Sequence, residues 1–219
     1  MNQDDLINQL AGELKPYKPW PNWYWSLLLC LPILAVYGGV VLWWSELRSD
    51  WQQLLSNPYG LGETLLLVLM VLLSLRGMLL IQVPDAYQKN PYLNAPRLLL
   101  AAVCVLQLVT AVMNPATWAQ DVEHIPCLVQ LIWVGFVASL SAAILMRQQA
   151  SVQRARLGEL VMWFGFSVSA LLLKLSCEIN SVTHLILIHY LPVMCAAAIG
   201  YWLGRAWFNR FDQPLGNYS

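Results

Sequence analysis

Five cysteines stand at positions 30, 104, 127, 177 and 195, and two of them have neighbours suited to thiol chemistry. Cys127 follows Asp121, Glu123 and His124, and Cys177 precedes Glu178 with His184 further on. Thiols beside imidazoles and carboxylates have three uses. They close to a disulfide if their Cα atoms come within about 7 Å. They hold a soft metal ion, with His124 or His184 as nitrogen donors. Or they are inert. The spacing matches no recognised metal motif, so the three readings stay open. Cys30, Cys104 and Cys195 lie inside apolar runs, where a thiol is a small packing group.

Other polar residues interrupt the apolar runs. Glu63 and Lys174 fall near one end of their runs, Glu159 near the other, and Arg76 within snorkelling reach of an end. None has to sit at a bilayer midplane, where charge is most costly. Pro192 should kink the last run, and His189, one turn earlier, is placed to bond a freed carbonyl or a neighbouring helix. Gly200 and Gly204 permit close helix packing.

The elements carrying these residues are membrane helices. Hydrophobic residues make up 58% of the 219 and charged residues 11%, against roughly 25% charged in a soluble domain. So few charges cannot cover a water-soluble surface of this size. Six runs reach the roughly 20 apolar residues that a span requires: about Tyr24–Trp44, Gly60–Val83, Arg97–Met113, Cys127–Met146, Leu157–Ser176 and His184–Leu203. Trp20, Trp23, Tyr24 and Trp25 precede the first run, Trp43 and Trp44 end it, and Tyr201, Trp202 and Trp207 flank the last, as interfacial anchors do. With the N-terminus inside, nine of the 12 Lys and Arg fall in inner segments, Arg48 falls outside, and Arg76 and Lys174 fall in spans. The positive-inside rule then places both ends in the cytoplasm. The expected fold is all-α: a bundle of about six transmembrane helices over residues 23–207, preceded by a cytoplasmic segment 1–22 and followed by a tail 208–219. The start lacks a basic n-region and an A-x-A site, so the first span is expected to serve as an uncleaved insertion signal.

The stretch from Asp4 to Leu14 has helical periodicity. Leu6, Ile7, Leu10 and Leu14 share one face, Asp4 or Asp5 suits the N-cap, and Pro16 and Pro19 end the element. A membrane-surface helix carries Lys and Arg on its polar face. This one carries Asp4, Asp5 and Glu13, which points to a protein partner docked by helix-in-groove contact. So short a helix is marginal in water and should order fully on docking.

Several short pieces, taken in order, resemble the NrsF family of membrane anti-sigma factors, the negative regulators of sigma F. They are Asp5-Leu6-Ile7, Pro58 with Glu63, Cys127, Cys177-Glu178, His189-Tyr190-Leu191-Pro192-Val193, and Gly200 with Gly204-Arg205. The resemblance covers nearly the whole chain. It implies a multi-pass protein of the bacterial inner membrane that holds an extracytoplasmic-function sigma factor away from RNA polymerase and releases it on a stress signal. It implies Cys127 and Cys177 as a periplasmic sensing pair, with Asp4, Asp5, Leu6, Ile7, Leu10 and Leu14 as the sigma-factor contact. It implies no enzymatic activity, no cofactor and no direct binding of nucleic acid. The aromatic cluster at Trp20–Trp25 and the modest basic content of the tail depart from the family pattern. A rival reading is a membrane thiol/quinone oxidoreductase, although no C-x-x-C motif is present. A small transporter is a weaker rival, because paired broken helices with midplane charges are missing.

Overall fold

The structure is a computed structural model, and it describes residues 23–81, 91–115, 125–146 and 153–208. The N-terminal stretch Asp4–Leu14, His124 and the tail lie outside the described residues. The chain divides into two compact units between Val36 and Tyr37. The second, from Tyr37 onward, carries the packing of the bundle.

All described secondary structure is helical. The helices are α1 (Trp23–Ser45), a short α2 (Trp51–Ser56), α3 (Pro58–Leu80), α4 (Ala95–Met113), α5 (Ile125–Met146) and α6 (Arg154–Ser176). The last membrane segment has three parts: an α-helical turn Val182–His184, a π-helical stretch Leu185–Tyr190, and α7 (Leu191–Phe208). Five helical stretches are long and apolar enough to cross a bilayer: α3, α4, α5, α6 and the run Val182–Ala206. α1 has 23 residues, and its stretch Pro32–Ser45 is a further apolar helix. The expected edges shift where local chemistry intervenes. The loop expected over Ser45–Tyr59 contains α2. The second expected span, α3, starts at Pro58 rather than Gly60 because the Asn57 side chain accepts the Tyr59 N–H and Pro58 takes the first helical position.

α6 is the central helix. It is the least apolar of the five spans, yet 89% of its apolar window is buried, against 28% for α4 and for α5. That ordering makes sense in lipid. The outer helices put Val112, Trp133, Ile199 and Trp202 on the exposed surface, while the polar side chains Glu159, Ser167, Ser169 and Lys174 are buried on α6. A soluble protein would not tolerate so large an exposed apolar surface.

Small residues let the helices close on α6. A Cβ on Gly158 would collide with backbone atoms of Gly200 and Gly204, so α6 and α7 touch main chain to main chain. The Gly200/Gly204 pair thus has its partner in Gly158. Gly165 meets Gly135 and Ser139 of α5 in the same way. The Ser169 hydroxyl donates to the Leu131 carbonyl at 2.8 Å, and Tyr37 donates to the Val134 carbonyl at 2.8 Å.

The charged residues near one end of the spans find each other. Lys174 Nζ of α6 lies 2.7 Å from Glu63 Oε2 of α3, each side chain 4% exposed. The Tyr190 hydroxyl donates to the other Glu63 oxygen. At the opposite end, Glu159 is bound by Arg97 of α4 at 2.6 Å, by Arg156 at 3.0 Å, and by the Trp163 indole N–H at 3.2 Å. Removing one partner of a buried ion pair costs about 3–5 kcal/mol, because the other is left uncompensated. Lys174→Met is expected to lower unfolding stability in detergent by that amount. The double variant Lys174→Met with Glu63→Gln should recover part of the loss, as read by tryptophan fluorescence during denaturation.

Candidate functional site: a thiol–imidazole cluster at one end of the bundle

Three segments bring the cluster together. α5 begins at Ile125 and places Cys127 in its first turn. α6 ends at Ser176, and Cys177 caps it through an N–H bond to the Leu173 carbonyl at 2.7 Å. The Ser181 hydroxyl accepts the His184 N–H at 3.3 Å and starts the final helical run. The sulfurs of Cys127 and Cys177 lie 3.7 Å apart, and His184 Nε2 lies 3.6 Å from Cys177 Sγ. The three candidate ligand atoms fall within 4.8 Å of one another. Cys177 and His184 are buried and Cys127 half-buried.

The π-helical stretch adds His189. Its ring centroid is 5.2 Å from that of His184, its side chain is fully buried, and neither ring nitrogen makes a hydrogen bond to nitrogen or oxygen among the described residues. No bond to a freed carbonyl is made among the described residues; the imidazole interacts instead with the Cys177 thiol at the end of α6. Pro192 explains the local geometry. It has no N–H to donate, and its ring crowds the carbonyl four residues back. The helix widens before it, and the Leu191 N–H reaches the Ile186 carbonyl, five residues back. Residues five apart lie roughly 140° apart on an α-helix. Widening to the i→i+5 pattern swings His189 toward the side of His184.

A polar strap covers the Cys177 end. Arg48, expected as an outer loop residue, is buried. Its N–H bonds the Leu175 carbonyl at 3.0 Å, and its guanidinium donates to the Cys177 carbonyl at 2.9 Å and to Asn180 at 3.3 Å. The same guanidinium bonds Asp50 at 2.5 and 2.8 Å and holds that carboxyl below the usual carboxylate range. Ser49 donates to Glu178 from its backbone N–H and from its hydroxyl, at 3.2 and 2.9 Å. The Gln130 side chain donates to Ser45 at 2.8 Å, tying α5 to the end of α1. The short loop 46–50 therefore clamps the chain on both sides of Cys177. Its cost is visible at Glu46, whose φ of 62° lies in the left-handed region.

Two chemistries fit this geometry. A disulfide needs the sulfurs about 2.05 Å apart, which requires side-chain rotation from the observed 3.7 Å. A tetrahedral thiophilic ion, with metal–sulfur bonds near 2.3 Å and metal–nitrogen bonds near 2.05 Å, sets its S···S and S···N edges at roughly 3.75 and 3.55 Å. The observed 3.7 and 3.6 Å match two of the three edges; the third, between Cys127 and His184, is held only to within 4.8 Å and closes further on binding. Cys127, Cys177 and His184 would hold such an ion. The Cys127 thiol bonded to Cys177 holds the Cys177 thiol well below its usual range, against the opposing effect of burial.

The chain matches the family NrsF, described as negative regulator of sigma F, over residues 10–209. It belongs to that family. A match of this extent includes Cys127, Cys177, His184, His189 and the Glu63–Lys174–Tyr190 cluster, and it makes a sigma factor the implied partner. No curated protein and no solved structure matches the chain.

If the cluster is preformed for a soft ion, Cd²⁺ added to the reduced, detergent-purified protein should give an ultraviolet thiolate-to-metal charge-transfer band at one ion per chain. Cys127→Ser and Cys177→Ser should each abolish it, and His184→Ala should weaken binding. A band that survives both cysteine substitutions would place the metal elsewhere.

Proposed function

We propose that this NrsF-family chain is an anti-sigma factor of the bacterial inner membrane, with six crossings counting α1 and both ends in the cytoplasm. In this arrangement the thiol–imidazole cluster faces the periplasm, and Glu159 with its arginines lies at the cytoplasmic side. The amphipathic segment Asp4–Leu14 holds an extracytoplasmic-function sigma factor. Leu6, Ile7, Leu10 and Leu14 supply the buried contacts, and Asp4, Asp5 and Glu13 face basic residues of the sigma factor.

The observation that carries the sensing half of this reading is the 3.7 Å approach of Cys127 and Cys177 beneath the Arg48 strap. One thiol opens α5 and the other closes α6, so any bond formed between them acts on the packing of those two helices. α6 has 23 residues, about 34 Å of helix, and spans the distance to Arg156 and Glu159. A stress signal reaching the thiols favours a packing with lower sigma-factor affinity. It must do so, because a ligand shifts an equilibrium only through its different affinity for the two states.

Both halves are testable with a sigma-dependent reporter in the native cell. Leu10→Asp should release the sigma factor constitutively and raise unstressed reporter output. Cys127→Ser combined with Cys177→Ser should keep repression intact and flatten the response to thiol oxidants and soft metals. Full repression by Leu10→Asp would remove the helix from the binding site, and an unchanged stress response in the cysteine variant would remove the thiols from sensing.

A further inference from the structure

At the end of the spans opposite the thiols, α4 and α7 do not close on each other. They meet through the turn Val182–His184 and the π-helical stretch, and each rests on its other neighbours toward the Glu159 end. The gap is a groove of about 660 Å³. Its floor is Glu159 and Trp163 of α6, and its walls include Leu100 and Cys104 of α4 and Ala198 and Trp202 of α7. Met194 to Trp202 covers about 12 Å of helix. That is most of one leaflet of a hydrocarbon core about 30 Å thick.

The groove is apolar along its length and cationic at its mouth. Arg97 binds Glu159 at 2.6 Å yet remains 49% exposed, and Arg156 shares the same carboxylate. Arg205 is exposed and stands over the Tyr201 ring, 5.6 Å from its centre. Among the described residues, three guanidinium groups around this mouth are therefore offset by one carboxylate. An occupant must match both parts: apolar length inside the leaflet and negative charge at its surface. We propose that this groove is a binding site for an anionic phospholipid, with one acyl chain between α4 and α7 and the phosphate on Arg97 and Arg205. Basic pockets between membrane helices select anionic headgroups for this reason. The leaflet is the cytoplasmic one in the topology proposed above, but the site itself does not depend on the sigma-factor reading.

A lipid there would brace α4 against α7 at the end where the groove parts them. The test is native mass spectrometry of the delipidated full-length protein in detergent. Phosphatidylglycerol and phosphatidylcholine of identical chains are titrated separately, with glycerol 3-phosphate as a soluble competitor. The expected result is a preference for phosphatidylglycerol of about 10- to 30-fold, the size two guanidinium groups supply, with no displacement by glycerol 3-phosphate. Arg97→Gln with Arg205→Gln should bring the two lipids within about twofold of each other. Ala198→Trp fills the groove without touching the charges, and should lower retention of both lipids. Equal binding of the two lipids by the unaltered protein would overturn the proposal, as would displacement by glycerol 3-phosphate. So would an undiminished preference in both variants.

Discussion

The Glu63–Lys174 ion pair holds this bundle in register. In an apolar surrounding neither charge can stand alone, and replacing both with apolar groups would often be no less stable. What the pair supplies is uniqueness: α3 and α6 have one relative position in which these two side chains meet. Tyr190 extends the constraint to the π-helical stretch by donating to the same carboxylate. Lys174 stands three residues before Cys177, and Tyr190 directly follows His189. Fixing the charged pair therefore fixes where the sulfur and the second imidazole sit. The Arg48 strap completes the same corner from the loop side.

Much of the fold was legible because lipid leaves few alternatives. Long apolar runs must become helices there, and five of the six expected runs appear as helices long enough to span. The packing logic was less visible. Gly200 and Gly204 announced a close contact, but its partner Gly158 could not be recognised without knowing which helices touch. Glu63 and Lys174 were each placed near the same end of a span, yet nothing local says that two charges from different spans will meet.

The site was legible in part. The structure brings Cys127, Cys177 and His184 together, which the sequence left open. His189 was expected to contact backbone or another helix, and its imidazole interacts with the Cys177 thiol at the end of α6 while lying beside His184. The meeting with His184 was not visible, because α-helical periodicity puts residues five apart on different faces. Pro192 was visible in the sequence, but its effect on the turn before it changes which residues share a face. Arg48 looked like an ordinary loop charge because a short polar loop shows no sign that it will fold back over a helix end. Among the described residues, one end of the bundle carries the thiol–imidazole cluster and the other the arginine-bound Glu159, joined by one deeply buried helix.

The most direct test compares sigma-factor affinity in two states of the same protein. The full chain, reconstituted in lipid nanodiscs, would be titrated with its co-purifying sigma factor, first with the thiols reduced and then after saturation of the Cys127–Cys177 pair with Cd²⁺ or its oxidation. Tight binding is expected in the first state and a loss of about tenfold or more in the second, the scale of ordinary allosteric coupling. The Cys127→Ser, Cys177→Ser protein should show no difference between treatments. Equal affinity in both states of the unaltered protein would contradict a sensing role, because the thiol cluster would then have no energetic connection to the partner.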